Sequence, residues 1–391
     1  MRPPAQLQEA IELTDVIRRA ALEGGAAADT LAKRWFKERR YAGSSDRRVI
    51  RAHVWEVLRR FGEPPASARA AFVALADHDP QLAALFDGSE RGPALIRADE
   101  PRETMTFAPD WLRARLDPRI DEAELLALTE RAPVDVRIYR ERLDVDLPEG
   151  GQPLRAPLDG MRFPPDTRVT ESAAFARGGI EVQDAGSQFI AQLCAVEPGM
   201  CVIDLCAGAG GKTLALGAAM RGEGHIVACD TDRDRLRELG PRAERANLGD
   251  LISKRLLDPG RERAALSDAA GRADVVLVDA PCSGSGTWRR NPEARWRATP
   301  DRLARLTQLQ ARLLDIAAEL VAPTGALIYA VCALTVEEGE GQVAAFSQRH
   351  PGWRAEDRLD AVVGRAAGAG RLLTPAHDGT DGFFMARLVR T

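Results

Sequence analysis

The stretch "CVIDLCAGAGGKTLAL", residues 201–216, decides the fold of this chain. It starts as an apolar strand that ends at Asp204, turns through three glycines within residues 208–211, and continues as a helix. The Gly-Lys-Thr that closes the turn resembles the end of a phosphate-binding P-loop. A P-loop requires a further glycine five positions before that Gly, and Cys206 stands there. The loop is therefore predicted to hold a ligand other than ATP.

Short apolar runs alternate with segments of helical period from residue 181 onward. This alternation is typical of strands wound through helices into a parallel sheet. The predicted strands are residues 200–205, 225–229, a third run ending before Asp258, 274–278 and 326–331. The segment 371–390, "RLLTPAHDGTDGFFMARLVR", predicts an antiparallel pair that completes the sheet. The fold class is α/β, with a Rossmann-like, mostly parallel sheet and an antiparallel C-terminal strand.

The chain is predicted to contain three domains. Residues 1–130 show helical periodicity and no convincing strand, which indicates an all-helical domain. Residues 131–180 form a small connecting module with many prolines and glycines, and residues 181–391 form the Rossmann-like domain. Between Lys33 and Arg60, ten Lys or Arg residues accompany three acids, a density that suits a polyanion. A solvated helix face in an arginine-rich protein is the alternative.

Two local patterns predict the starts of helices in the C-terminal part. Thr299-Pro300 combines an N-cap residue with a proline in the first helical turn. Residues Thr335 to Glu338 fit a capping box, in which a Thr and a Glu three positions later satisfy the first amides of a helix. A helix is expected to begin at each pattern.

The composition favours a soluble, cytoplasmic protein, for which a monomer is the plain expectation. With 391 residues, 45% of them hydrophobic, the chain can bury at least two cores. The N-terminus has no signal-peptide pattern, and no run approaches the roughly 18 apolar residues of a membrane span. The six cysteines form no CxxC pair, so no metal site is expected. Disulfides are not expected either, because three of the six lie in or beside runs that predict buried strands.

Two carboxylates beside the glycine loop predict a nucleoside ligand. Asp230 ends the second predicted strand, where a carboxylate would take the two hydroxyls of a ribose. Asp258 follows the third strand and could face an adenine amino group, although either acid could instead cap a helix. The amides of the glycine loop favour a carboxylate on the ligand. S-adenosylmethionine satisfies all of these groups, and NAD is the alternative, although NAD prefers a glycine pattern without Lys212.

Two cysteines follow adjacent predicted strands. The motif Asp279-Ala-Pro-Cys282 ends the fourth strand, and Cys332 follows the fifth, so both reach the edge of the sheet where ligands bind. A thiolate that adds to carbon 6 of a pyrimidine makes carbon 5 electron-rich enough to attack a sulfonium methyl group. Asp279 is placed to hydrogen-bond the base edge and stabilise the developing charge. Two buried structural cysteines are the alternative.

These motifs resemble the Sun/Fmu-like RNA cytosine-5 methyltransferases, a family that includes bacterial small-subunit ribosomal RNA enzymes. From about residue 181 the chain contains, in the family's order, "EVQDAGSQ", "DLCAGAGGKT", "DAPCSGSG", "RRNPEARW", "YAVCALTVEEGE" and "DGFFMARL". The resemblance implies a class I S-adenosylmethionine-dependent methyltransferase domain in which Cys332 is the nucleophile and Cys282 assists product release. The cofactor groups that it implies are Cys206, Ala207, Gly208, Ala209, Gly210, Gly211, Lys212, Asp230, Asp258 and Asp279.

Two departures from the family pattern bear on the site. Gly208-Ala209 replaces the usual Ala-Pro, which should loosen the glycine turn while keeping its amides available. Val331 and Ala333 flank the nucleophile in place of Thr and Ser. Hydroxyls that could stabilise the thiolate are therefore absent, and Lys212 is the predicted substitute. Cys332, Cys282, Asp279 and Lys212 form the predicted catalytic set.

Two further segments predict contacts with RNA. The stretch "WFKERRYAGSSDRRVIRAHVWEVLRR", residues 35–60, resembles more loosely the NusB-like helical domain that precedes the catalytic part in bacterial members of the family. Residues 288–297 combine two tryptophans with four arginines, a mixture that suits stacking on a single-stranded or flipped base. These residues are Trp288, Arg289, Arg290, Arg295, Trp296 and Arg297. Packing of Trp288 and Trp296 beneath the loop is the alternative.

The predicted activity is S-adenosylmethionine-dependent formation of 5-methylcytosine in RNA, with 16S ribosomal RNA as the expected substrate. Three alternatives remain at this stage. The substrate could be transfer RNA, or the chain could be a catalytically silent RNA-binding assembly factor on the same fold. A methyltransferase acting on protein or on a small molecule is disfavoured, because such substrates give a thiolate addition no role.

Overall fold

The computed structural model describes residues 1–139, 145–359 and 362–391. These residues divide into two compact units. The helical unit consists of Met1–Leu116, Ile120–Glu130 and Thr287–Pro300, and the sheet unit consists of Asp117–Arg119, Arg131–Gly286 and Asp301–Thr391. The connecting module predicted over residues 131–180 lies partly outside the described residues, and the predicted domain boundaries stay predictions.

The helical unit confirms the helical character expected of the N-terminal region. Its helices are α1 (Pro3–Glu23), α2 (Ala28–Glu38), α3 (Ser44–Arg60), α4 (Ala68–Ala76), α5 (Pro80–Ala83), α6 (Asp110–Arg113) and α7 (Glu122–Ala127). Helix α1 begins at a proline and ends before Gly24, whose φ of 76° suits a residue without a side chain. Leu7, Leu13 and Ile17 repeat along one face of α1 and are fully buried.

Residues Thr287–Pro300 pack within the helical unit. Trp288 and Trp296 are 1% and 4% exposed, and the Trp296 indole donates to the carbonyl of Phe61 over 2.7 Å. The prediction that these two rings stack on an RNA base is therefore wrong. Large aromatic surfaces stabilise most when they are removed from water, and Trp296 packs in the hydrophobic core of the helical unit.

Arg295 is also buried, at 1% exposed, and it belongs to the same segment. Its guanidinium donates to the carbonyls of Leu58, Arg59, Phe107 and Pro292. The planar fork of an arginine suits several acceptors at once. Arg295 therefore stabilises the helical unit and is not part of an exposed basic cluster.

The sheet unit begins with a small antiparallel sheet. Its elements are β1 (Val134–Ile138), β2 (Gln152–Pro153), β3 (Gly160–Phe163), α8 (Ala173–Ala176) and β4 (Ile180–Val182). The strand order is β2-β3-β1-β4. Val136, Phe163 and Ile180 pack together beneath it.

The remainder of the sheet unit contains a larger sheet and further helices. Its elements are α9 (Ala185–Leu193), β5 (Cys201–Asp204), α10 (Gly211–Ala219), β6 (His225–Asp230), α11 (Arg233–Arg245), β7 (Ile252–Leu256), α12 (Glu262–Ala265), β8 (Ala273–Asp279), α13 (Pro300–Leu320), β9 (Val321–Val331), α14 (Glu340–Arg349), β10 (Trp353–Ala355), β11 (Arg365–Ala367), β12 (Gly370–Leu373), α15 (Pro375–Asp378) and β13 (Phe383–Arg390). Short 3-10 helices occupy Val169–Glu171, Ser267–Ala269, Ser285–Thr287 and Pro292–Arg297.

The order of the larger sheet confirms the predicted fold class. The strands run β11-β12-β13-β9-β8-β5-β6-β7, with β10 paired to β13. Strands β5 to β9 run parallel to one another, and β13 is antiparallel to β9. Apolar runs such as 275–278 and 326–331 are buried on both faces, as a parallel sheet with helices on its two sides requires.

One of the two predicted helix starts is confirmed. Helix α13 begins at Pro300, as expected. Helix α14 begins at Glu340, so the capping box predicted at Thr335 to Glu338 is wrong. Thr335 does donate to the Glu338 carboxylate over 2.8 Å, but both residues precede the helix, and the carboxylate also accepts from the Ser283 amide in the loop after β8. Among the described residues, no helix is long and apolar enough to cross a membrane.

Candidate active site

The carboxyl ends of five neighbouring parallel strands bring the predicted site residues to one edge of the sheet. Register pairs Asp204 with both Ala228 and Leu277, and Asp279 with Ala330, so the strands end side by side. The residues at or just after these ends are Asp258 (β7), Asp230 (β6), Asp204 (β5), Asp279 (β8) and Cys332 (β9). Ligands bind at this edge in open α/β sheets.

The glycine loop between β5 and α10 needs glycine at two positions. Gly208 and Gly210 have φ values of 54° and 84°, a region that side chains disfavour. A Cβ on Gly210 would also lie 2.0 Å from Cδ1 of Leu239. Helix α10 then begins at Gly211, which leaves the amides of its first turn without acceptors inside the helix. These amides are suited to bind a carboxylate.

Asp230 is tied to this loop. One carboxylate oxygen accepts from the Gly208 amide over 2.7 Å, and the other accepts from the Asp232 amide over 2.8 Å. Each oxygen retains a lone pair that could accept a hydrogen bond from a hydroxyl group. Asp258 is exposed and lies two residues after β7, close along the chain to Leu257, whose amide donates to the Asp230 carbonyl.

A buried carboxyl group lies at the end of β5. Asp204 is 1% exposed, and its Oδ2 accepts from the Thr213 hydroxyl over 2.7 Å. Its Oδ1 is buried without a partner among the described residues. Burial, together with the charges of Asp279 and Asp230, raises the pKa of Asp204 to about 7. An unpartnered acid oxygen, the amides of α10 and the carboxylate of Asp230 together fit the ammonium, carboxylate and ribose of S-adenosylmethionine.

Lys212 and Asp279 form a close ion pair. The Lys212 ammonium lies 2.7 Å from Asp279 Oδ2, and the lysine side chain is 10% exposed. Burial on its own lowers the pKa of a lysine, but the charge and hydrogen bond of Asp279 outweigh it and Cys332 adds to the attraction, so the pKa of Lys212 is raised. Lys212 therefore stays charged beside the second cysteine of the site.

The sulfur atoms of Cys282 and Cys332 lie 3.2 Å apart. Both thiols are free and half-buried. The hydrogen bond to Cys332, burial, and the charges of Cys332 and Glu338 raise the pKa of Cys282 well above its ordinary value. The Cys282 thiol therefore stays protonated beside the Cys332 sulfur.

Cys206 has a different environment, although it lies in the same loop. Burial, followed by the charge of Asp204, raises the pKa of Cys206 well above its ordinary value. The thiol of Cys206 therefore stays neutral. Its place in the loop fits cofactor contact through the backbone and not nucleophilic chemistry.

Sequence reasoning missed the carboxylate that holds the Cys282 loop. Glu338 is fully buried, and it accepts hydrogen bonds from the amide and hydroxyl of Ser283, over 2.7 and 2.6 Å. Gln310, on α13, donates to the same carboxylate over 3.1 Å. The signal available in the sequence was the pair of serines in "DAPCSGSG", whose hydroxyls need acceptors wherever the loop is buried.

A second missed group supports the glycine loop. Arg242 on α11 donates to the carbonyl of Ala209, and its other nitrogen lies 3.1 Å from Glu181. Gln183 donates to the Gly211 carbonyl over 3.1 Å. These bonds restrain the turn at the point where the family's proline is missing, so they offset the loosening expected from that substitution.

Among the described residues, no group of three His, Cys, Asp or Glu side chains could hold a metal ion.

The sheet order, the glycine loop after β5 and the acids at successive strand ends define a Rossmann-like methyltransferase domain. The family model described as "16S rRNA methyltransferase RsmB/F" matches residues 191–389. Ribosomal RNA small subunit methyltransferase B of Thermus thermophilus is 38% identical over 302 residues, which cover 76% of this chain and 70% of that protein. The chain belongs to the RsmB/F family of 16S rRNA methyltransferases.

Solved structures agree with this assignment. A methyltransferase homolog protein from Pyrococcus horikoshii is 25% identical, with a TM-score of 0.61 over 73% of this chain and 96% of that one. NSun6 from Pyrococcus horikoshii, solved with SFG, is also 25% identical, with a TM-score of 0.52 over 60% of this chain and 59% of that one. The similarity therefore extends over more than half of this chain in both cases.

Proposed function

We propose that this protein forms 5-methylcytosine in 16S ribosomal RNA, through a covalent bond between Cys332 and the cytosine ring. The observation that carries the proposal is the 3.2 Å separation of the Cys282 and Cys332 sulfurs at the edge of the sheet that also holds the glycine loop. Membership of the RsmB/F family supports the RNA substrate. The two cysteines support the choice of carbon 5, because cytosine needs activation at carbon 6 before carbon 5 can react.

In the proposed reaction, Cys332 attacks as a thiolate. Its electron pair forms a bond to carbon 6, and the electrons of the carbon 5–carbon 6 double bond move so that carbon 5 becomes nucleophilic. S-adenosylmethionine, when bound, supplies the sulfonium methyl group that carbon 5 takes. Lys212 favours the thiolate electrostatically, which replaces the hydroxyls missing at Val331 and Ala333.

Asp279 acts during this addition, and Cys282 acts after the methyl group has been transferred. Asp279 is 30% exposed and can accept a hydrogen bond from the base edge while Lys212 holds its other side. After methyl transfer, the carbon 5 proton leaves to a base, the carbon 5–carbon 6 double bond re-forms, and the electron pair of the carbon–sulfur bond returns to Cys332. Cys282, adjacent to the departing sulfur, assists this release.

The proposed cofactor contacts follow the predicted set. The residues from Cys206 to Lys212 would surround the amino-acid part of S-adenosylmethionine with backbone amides, and Asp230 would accept the ribose hydroxyls. Asp258, exposed after β7, would face the adenine. These roles are supported by the shared edge of the sheet and by the unpartnered oxygen of Asp204.

The helical unit is proposed to bind RNA phosphates. Seven basic side chains of α2, α3 and the turn between them are exposed, namely Lys33, Arg34, Lys37, Arg40, Arg47, Arg48 and Arg60. Each phosphate contact that is lost should reduce the slope of log affinity against log salt by about 1. Replacing both Lys33 and Lys37 by glutamine should therefore lower that slope by about 2, whereas the exposed Lys254 of β7 serves as the matched control.

Labelled methyl transfer tests the proposed activity. Purified enzyme and methyl-labelled S-adenosylmethionine are incubated with 16S ribosomal RNA or with transfer RNA, and methylated cytosines are located by bisulfite sequencing. Cys332→Ala should abolish incorporation, and Cys282→Ala should retain a covalent protein–RNA complex on denaturing gels. Label found in transfer RNA alone would mean that transfer RNA, and not 16S ribosomal RNA, is the substrate. Full activity of Cys332→Ala would contradict the proposed mechanism. No incorporation into any RNA would favour an assembly factor.

A further inference from the structure

We propose that Glu338 is a positioning residue that holds the Cys282 loop against Cys332, so that loss of its hydrogen bonds stalls the enzyme at the covalent adduct. This inference rests on the proposed function. It concerns a residue that contacts neither reacting atom, and it predicts a defect in release of the product rather than in attack on the ring.

The carboxylate of Glu338 is fully buried and accepts four hydrogen bonds. Oε1 accepts from the Ser283 amide over 2.7 Å and from Gln310 over 3.1 Å. Oε2 accepts from the Ser283 hydroxyl over 2.6 Å and from Thr335 over 2.8 Å. A buried ionised carboxylate is costly unless donors surround it, and bonds to a charged acceptor are stronger than neutral ones.

The donors flank Cys282 on both sides. Ser283 follows Cys282 directly, and its amide and hydroxyl both point to Glu338. Gln310 donates to Glu338 and also to the carbonyl of Pro281, the residue before Cys282. The backbone on each side of the Cys282 thiol is therefore held by the same buried group.

The segment that carries Cys332 is hydrogen-bonded to the Cys282 loop and to Glu338. Gly286 donates its amide to the Cys332 carbonyl over 3.0 Å, and Leu334 donates to the Ser285 hydroxyl over 2.8 Å. Tyr329, on β9, donates to the backbone carbonyl of Glu338 over 2.7 Å. Because both cysteine segments meet at Glu338, the distance between the two sulfurs depends on its contacts.

This arrangement predicts which step fails when Glu338 is changed. Cys332 follows directly from β9, whose pairing with β8 and β13 does not involve Glu338. Attack on carbon 6 should therefore survive. Cys282 lies in a loop and depends on Glu338 and Ser283 for its place, so the release step that it assists should slow.

Adduct trapping tests the inference. Glu338→Ala and Ser283→Ala are compared with wild type, with Cys282→Ala, and with the control Ser347→Ala, which removes a hydroxyl that donates to the Val343 carbonyl on α14. Each enzyme is given RNA and S-adenosylmethionine, and the covalent complex is separated on a denaturing gel. We expect both test variants to accumulate the complex, with turnover reduced about tenfold, the factor that one hydrogen bond to a charged group supports.

The conservative variant Glu338→Gln separates positioning from loss of the fold. Its amide oxygen can still accept from Ser283 and Gln310, so turnover should recover relative to Glu338→Ala. Should Glu338→Ala fail to fold, Ser283→Ala decides the matter, because it removes one hydroxyl only. Accumulation of complex by Cys282→Ala but not by the Ser283 or Glu338 variants would overturn this inference alone. Absence of complex in Cys282→Ala would overturn the proposed function as well.

Discussion

Replacing Asp204 by asparagine is expected to remove a loss of stability that the wild-type protein undergoes as the pH rises from 5 to 7. The Asp204 carboxyl is 1% exposed and one of its oxygens has no partner among the described residues. Burial, with the charges of Asp279 and Asp230, raises its pKa from 3.8 to about 7. Below about pH 7 the neutral acid is therefore the preferred form in the folded protein.

The sign of the effect follows from proton binding. Between pH 4 and pH 7 the folded protein keeps a proton on Asp204 that the unfolded chain has lost. Since the folded state binds more protons in this range, the contribution of Asp204 to the free energy of unfolding is fully present below pH 4 and is lost as the pH rises through 7. The two pH units from 5 to 7 correspond to about 3 kcal/mol at about 1.4 kcal/mol each.

Urea unfolding at pH 5, 6, 7 and 8, followed by circular dichroism without cofactor, measures the effect. Asp204→Asn carries a constant cost of about 1 to 3 kcal/mol for a buried amide that lacks one partner. Its free energy of unfolding relative to wild type should nevertheless rise by about 3 kcal/mol from pH 5 to pH 8. Asp258→Asn, a change at an exposed acid of the same edge, should show no such rise.

A difference between Asp204→Asn and wild type that stays constant with pH would refute this reasoning. It would mean that the folded protein ionises Asp204 as readily as the unfolded chain does, with a charged partner or water on Oδ1. A difference that falls with rising pH would mean that the folded protein prefers the charged form of Asp204.

Two further substitutions test the glycine loop and the buried arginine. Gly210→Ala should destabilise the protein by about 1 to 3 kcal/mol and weaken cofactor binding, because φ is 84° at this position and the new Cβ would overlap Leu239. Gly211→Ala is the control for stability, because its Cβ would meet nothing closer than 4.0 Å. Equal thermal unfolding of the two variants would contradict the prediction. Arg295→Met should lower the unfolding free energy by about 3 kcal/mol, because it leaves buried carbonyls without donors, whereas the exposed Arg48→Met should change it by under about 0.5 kcal/mol. Calorimetry that finds the two arginine variants alike would contradict that expectation.

The sequence predicted the fold and the edge of the sheet that carries the site. Runs of apolar residues mark buried strands locally, and parallel strands joined by helices must end at the same edge. Asp230, Asp279 and Cys332 could therefore be placed together before any packing was known, and the register of β6, β8 and β9 agrees with that placement.

The environment of the aromatic residues after the Cys282 loop could not be predicted in the same way. Two tryptophans among four arginines in residues 288–297 have the composition of a base-stacking surface and equally that of a buried segment. The choice depends on whether helices are available to cover the rings. The structure buries both rings, and Trp296 joins a core formed by residues distant in the chain, such as Phe61.

Local pattern determined the strands, the glycine turn and the identity of the two cysteines, because periodicity and backbone conformation act over a few residues. The contact between Glu338 and the Cys282 loop depended on tertiary structure. Thr335 and Glu338 match a helix cap within their own segment, yet the carboxylate also binds Ser283, 55 residues earlier in the chain. A hydrogen bond takes whichever donor the fold brings near, so the 3.2 Å approach of the two sulfurs follows from contacts that no local pattern contains.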